Sequence, residues 1–222
     1  MKKRLLILVV LVIVAVAAAP WGFRTFVEGD PDPALTLAAD AKQATTDIDG
    51  TWMVQPGSQA GYRAQQRLLW QPIDVNGRTS SVLGSAEVDK SRLLSADFVV
   101  DAGSLESAHH GRDQRFSGTD VMDSAKYPTA EVAVTAPVDL SAVPDNGRSV
   151  AVDVPLKLTL HGVSKQETAR ASIQRNGDRV DVAGSIPITF ADYQITPPKL
   201  LAGVLEIQPV ATIEFLVHLA KG

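Results

Sequence analysis

Between Val150 and Leu160 every even position is apolar: Val150, Val152, Val154, Leu156, Leu158 and Leu160. Ala151, Asp153, Pro155, Lys157 and Thr159 lie between them. A period of two marks a β-strand with one greasy face and one mostly polar face. The pattern recurs at Leu94, Ala96, Phe98 and Val100, at Val132 and Val134, from Val180 to Phe190, and from Ala211 to Leu219. No amphipathic helix of useful length follows residue 47, so no helix is available to shield these faces. A sheet with one apolar face and no helical cover must close on itself or pack against a second sheet. The alternation predicts strands near 51–56, 59–71, 78–89, 93–102, 130–138, 149–161, 165–175, 179–190 and 204–220. Asn76-Gly77, Asn146-Gly147 and Asn176-Gly177 read as tight hairpin turns between them, with Asp89-Lys90-Ser91-Arg92 a weaker candidate. Sequential hairpins imply antiparallel order, and the expected fold is an all-β, up-and-down, eight-stranded barrel.

An eight-stranded barrel can be filled by its own side chains or left with room for a ligand. Aromatic residues make up only 5% of the chain, and several inward positions are small: Ala96, Ala211, Val132, Val134 and Val152. That composition favours a roomy interior, although a sandwich core would use the same residues. Residues 104–128 do not alternate. So long a connection is expected to fold into short helices or pack as a lid, with Asp120 capping a turn that holds Val121 and Met122.

The N-terminus has a different character. Lys2-Lys3-Arg4 precedes an uncharged run from Leu5 to Phe23. As a helix, that run would extend roughly 28 Å, close to the hydrocarbon thickness of a bilayer. The basic flank places the N-terminus in the cytoplasm and the following domain outside the cell membrane, with Trp21 and Phe23 at the interface. Ala17-Ala18-Ala19 leaves open a cleaved signal peptide and a secreted or periplasmic product. The expected organisation is a single-pass anchor (or signal peptide) over 1–24, a linker over 25–47 read as a flexible tether, and a barrel domain over 48–222.

Several function classes are disfavoured. The net charge is −4 and no basic cluster follows the N-terminus, which argues against nucleic acid. The chain has no cysteine, so thiol catalysis and cysteine-ligated metal are excluded. Adjacent His109 and His110 would point apart in an extended strand and have no carboxylate partner at ligand spacing; no metal site and no cofactor are expected. His161 belongs with Gly162 in a turn, and His218 falls on the polar side of the last strand. A hydrolase using Ser104 with His109 or His161 can be drawn, but no nucleophile motif orders it. No catalytic residue is assigned, and the chain is read as a non-enzyme.

Several motifs taken together resemble one family. Trp52-x-x-x-x-Pro56-x-Ser58 is followed by Ser104-Leu105-x-Ser107, Arg112-Asp113, Asp123, Tyr127-Pro128 and Leu158-Thr159-Leu160-His161-Gly162-Val163-Ser164-Lys165. In this order and spacing they resemble the YceI-like family of bacterial lipocalin-like, isoprenoid-binding proteins, from about Trp52 to Val217. Phe190-Ala191-Asp192-Tyr193-Gln194 departs from that family's pattern, since a basic residue and a glycine are absent. The resemblance implies a barrel tunnel that binds, and carries or buffers, a polyprenyl carrier or isoprenoid quinone at the outer face of the cytoplasmic membrane. The expected tunnel and lid contacts are Tyr62, Trp70, Phe98, Phe116, Met122, Val132, Val134, Val152, Val154, Leu156, Ile186, Ile188, Phe190, Ile213 and Phe215. Ser104, Ser107, Arg112 and Asp113 are the expected polar groups of the mouth and lid. The alternative is a filled barrel acting as a stress-related interaction module. Pairing of two copies into a homodimer is left open.

Overall fold

The computed structural model describes residues 31–68, 71–197, 199–200 and 205–222, with four isolated positions before residue 31. The expected membrane span falls almost wholly outside the described residues, as does Trp70. Among the described residues no helix is long and apolar enough to cross a membrane.

Among the described residues the chain forms twelve strands. These are β1 (Gly50–Val54), β2 (Gln59–Leu68), β3 (Gln71–Thr79), β4 (Val82–Asp89), β5 (Arg92–Asp101) and β6 (Thr129–Val134). There follow β7 (Val138–Asp139), β8 (Val150–Leu160), β9 (Val163–Asn176), β10 (Arg179–Thr189), β11 (Lys199–Leu200) and β12 (Leu205–Lys221). The connection from β5 to β6 carries one helix, α1 (His110–Ser117). All pairings among the strands are antiparallel. Two interruptions disguise a simple plan. β1 and β2 lie end to end along β12, which they meet at Trp52↔Lys221 and Leu68↔Leu205. β3 and β4 lie end to end along β2 and β1. Counting each broken pair once, the order β1/β2, β3/β4, β5, β6, β8, β9, β10, β12 closes back on β1. The result is the expected closed, eight-stranded, up-and-down barrel, with one short α-helix among the described residues.

Three local expectations differ from the structure. Asn76-Gly77 lies inside β3, paired with Arg63 and Tyr62, and the ladder between β2 and β3 runs on to Leu68↔Gln71. The inward parity shows why. Ala60, Ala64, Gln66 and Leu68 are buried at even positions, whereas Ile73 and Val75 are buried at odd ones, so the chain must turn between the two sets. Asn146-Gly147 lies in the loop between β7 and β8 and joins no hairpin. Among the described residues the two-residue turns are Lys90-Ser91, His161-Gly162 and Gly177-Asp178. In the first two, both residues have positive φ, which matches the twist of the flanking strands. Finally, Leu94 is 42% exposed and Leu93 is the buried residue. Ser95 pairs with Glu87 and Leu93 with Val88, which makes Leu94 the extra residue of a bulge and reverses the parity below it.

Residues 31–47, expected as a flexible tether, instead lie along the outer wall. The Asp32 N–H donates to Asn76 Oδ1, and Asn76 Nδ2 donates to Asp32 Oδ2, both at 3.0 Å. Arg63 and Arg78 donate to the carbonyls of Asp32 and Pro33. Farther along, Gln174 donates to the Ala38 carbonyl, the Lys42 N–H to Asn176 Oδ1, and the Thr45 N–H to the Gly177 carbonyl. This strap accounts for polar residues that are buried although they point away from the barrel axis: Asn76, Gln174 and Glu214. Glu214 is 5% exposed and accepts from Arg78 at 2.8 Å and Arg63 at 3.5 Å.

Candidate functional site: an apolar tunnel beneath a helical lid

The inward side chains do not fill the barrel. A cavity of about 670 Å³ occupies the end where β2, β3, β10 and β12 meet the lid. A second, of about 140 Å³, continues toward the opposite end. Ala60, Val100, Val132 and Ile213 line both, so the two chambers meet at a waist. The inner chamber is lined only by apolar residues, with Trp52 among them.

Residue size explains the hollow. Ala64 faces Ala211 across β2 and β12, and Ala86 faces Ala96 across β4 and β5, so the wall is thin where these pairs occur. Ala169 and Ala171 do the same on β9. The aromatics are held against the wall by inward glycines. Tyr62 pairs with Gly77, Phe98 with Gly84 and Phe215 with Gly184. A Cβ added at these glycines would approach the facing ring to 2.6, 2.6 and 2.5 Å respectively. Each ring therefore lies over a glycine instead of across the lumen.

The lid grows from the end of β5. A 3-10 turn at Ala102–Ser104 leads to Glu106, which exchanges two backbone hydrogen bonds with Arg78 on β3 (2.8 and 2.9 Å). α1 follows, and Phe116 stacks on Tyr62 with ring centres 4.6 Å apart. Val121 and Met122, both buried, complete the ceiling of the outer chamber. At the far edge, the Tyr127 ring packs against the His161 ring at 4.8 Å and sits over Gly162. His161 Nδ1 is 3.1 Å from the Tyr193 carbonyl, and the Tyr193 hydroxyl donates to Glu167 Oε1 at 2.9 Å. Burial, reinforced by that carboxylate, raises the Tyr193 hydroxyl well above the ordinary tyrosine value. Tyr127-Pro128 and His161-Gly162, distant in sequence, thus form one joint that fastens the lid to the barrel.

Of the expected contacts, Tyr62, Phe116, Met122, Ile188 and Phe190 line the outer chamber. Phe98, Val134, Val154, Leu156, Ile186 and Phe215 line the inner one, and Val132 and Ile213 the waist. Val152 lines neither; it packs against the core from a partly buried position. Among the expected polar groups, Arg112 lines the outer chamber. Asp113 instead accepts the Ser107 N–H at 2.9 Å. The Ser104 hydroxyl donates to the Asp101 carbonyl and shares a 2.6 Å hydrogen bond with Thr79. Ser104 is thus bonded to Thr79 and Asp101 while His161 serves the joint, so the structure assembles no hydrolase triad from them. Arg115, Leu158, Leu160, Ile195 and Leu205 also line the outer chamber, beyond the contacts expected from the sequence. Leu158 and Leu160 lie in the even stripe, and a signal for them was present. Arg115 follows Arg112 by one helical turn, but that helix is not apparent from hydrophobic periodicity.

A closed antiparallel barrel with a hollow, apolar interior and a lidded mouth has the architecture that lipocalins typify. Within that class, the YceI-like domain model matches residues 52–219, and the chain belongs to this family. It is 28% identical over 141 residues to a UPF0312 protein of Pseudomonas putida (strain W619), covering 60% of this chain and 70% of that one. It is 32% identical over 110 residues to a UPF0312 protein of Pseudomonas savastanoi pv. phaseolicola, covering 47% and 54%. Among solved structures it shares its fold with a polyisoprenoid binding domain from Saccharophagus degradans implicated in plant cell wall breakdown. That match has a TM-score of 0.58 and 23% identity, over 78% of this chain and 99% of the other. Burkholderia cenocepacia BcnA also matches, with a TM-score of 0.58 and 18% identity over 74% and 98%.

Proposed function

We propose that the chain binds a long isoprenoid lipid with its tail in the tunnel, and carries or buffers it at the outer face of the cytoplasmic membrane. The observation that carries this reading is the pair of apolar chambers meeting at a waist, about 670 and 140 Å³. A filled barrel would leave no such space, so the hollow interior supports ligand binding over a filled-barrel interaction module. An apolar volume of this size offers a branched hydrocarbon tail dispersion contacts with the wall along its length. Family membership and the likeness to a polyisoprenoid binding domain support the choice of an isoprenoid. The uncharged run from Leu5 to Phe23, after Lys2-Lys3-Arg4, supports a place at the membrane. The role is binding and release, without a catalytic step.

Titration with prenols of increasing tail length tests the reading. Each buried methylene contributes roughly 0.8 kcal/mol before ordering costs. Affinity should therefore climb from geraniol through geranylgeraniol and level off once both chambers are full. No binding of any prenol, or an affinity indifferent to tail length, contradicts it.

A further inference from the structure

The hydrogen-bonded wall of the barrel breaks beside the inner chamber. β6 and β8 pair from Glu131↔Thr159 to Val134↔Leu156. The Thr135 N–H then donates to the Pro155 carbonyl at 3.0 Å, and the ladder stops. Two prolines stop it. Pro155 has no N–H to return to Thr135, and in the same register Pro137 would face Asp153 with no N–H to offer it. The chain then crosses to β7, which pairs with β5 at Val138↔Leu93. Residues 150–154 of β8 keep β9 on one side and have no paired strand on the other among the described residues. This seam runs along the inner chamber, which Val134, Leu140 and Val154 line. Side chains close it in place of a ladder. The loop from β7 to β8 carries the buried Leu140 and Val143, whose N–H groups donate to the carbonyls of Ser91 and Leu140, not across to β8. Ala136, Pro137 and Ala151, which flank the seam, are small, apolar and exposed.

We infer that this seam is a lateral exit from the inner chamber, through which the end of a tail longer than the tunnel passes to the outside, with Leu140 as the side chain that closes it. This rests on the isoprenoid-carrier reading and adds how tail length is accommodated. A laddered wall would have to give up backbone hydrogen bonds to admit a hydrocarbon, whereas here only apolar contacts part. The emerging tail replaces the contacts that Leu140 yields. Affinity then levels off because the surplus tail lies outside the chambers, and a long tail is held without its other end being pushed back out of the outer chamber.

The test exploits the absence of cysteine from the chain. Pro137→Cys/Asp153→Cys places two unique thiols on the two sides of the seam, at positions that are exposed, where a short bis-maleimide bridges them. Geranylgeraniol and the longer solanesol, each with a nitroxide at the tail end, are bound to the full chain before and after bridging. Reduction of the nitroxide by ascorbate reads whether the tail end meets water. The end of the short tail should be protected in both forms. The end of the long tail should be reduced rapidly in the unbridged chain and several-fold more slowly in the bridged one. Leu140→Ala, with a melting temperature that shows it folded, should expose the end of the short tail as well. A long tail reduced at one rate whether or not the seam is bridged overturns the exit, as does a Leu140→Ala chain that protects the short tail as well as the parent does. Binding of the short prenol alone overturns it too. Failure of both prenols to bind the parent chain is a different result and sinks the carrier reading itself.

Discussion

Gln194 ends the 3-10 turn Phe190–Tyr193 in the left-handed region, with φ 57° and ψ 26°. Glycine takes this conformation at no steric cost. A side chain there crowds the backbone, at a cost of roughly 1–2 kcal/mol, partly offset because glycine leaves the unfolded chain freer. Gln194→Gly is therefore expected to stabilise the protein by about 0.5–1 kcal/mol in urea unfolding. The neighbouring Tyr193 has no exposed surface, and its hydroxyl is held protonated by burial and by Glu167. The sign of the pH effect follows. Above the ordinary tyrosine value, about 10, the unfolded chain releases this proton while the folded chain retains it. The folded state then binds more protons, and its stability falls as pH rises. The loss of stability between pH values of about 9 and 11 should be smaller in Tyr193→Phe than in the parent, read from melts at both; an equal loss would remove Tyr193 from the alkaline response.

At the scale of elements, strands were legible because one face of each is buried and the other is not. The stripe from Val150 to Leu160 is β8 residue for residue. Features that break the period without changing composition were not legible. Leu94 cannot be told from Leu93 by type, and only pairing across β4 and β5 shows which is the bulge. Asn76-Gly77 has ideal turn chemistry, yet Gly77 serves to seat the Tyr62 ring and Asn76 to hold the strap. The strap itself has no periodicity, since apart from the Asp32 carboxylate its polar contacts to the barrel are made by backbone groups. Its firmest hold is Glu214, which gathers Arg63 and Arg78 while both arginines donate to strap carbonyls. Glu214→Ala would leave two partly buried guanidiniums facing each other and should cost roughly 1–2 kcal/mol. Hydrogen exchange should also quicken over residues 31–47, and unchanged protection there would show that the strap is held by other contacts.

At the scale of the molecule, the barrel was legible as a consequence of missing helices, and its hollowness was legible only as a tendency toward small residues. The volume depends on details that no single position reveals: which alanines face each other, and which rings lie over a glycine. The organic extract of the full chain purified from native membranes, compared with that of Ala96→Phe, tests the hollow tunnel most directly. Ala96 lines the inner chamber opposite Ala86, so a phenylalanine there fills that chamber and leaves the outer one open. The expected mass spectra show one isoprenoid per parent chain, and in the folded variant a shift to shorter tails or a loss of lipid. A parent chain that yields no stoichiometric lipid, or a variant that holds the same tails in the same amount, would contradict the tunnel as the place where the lipid resides.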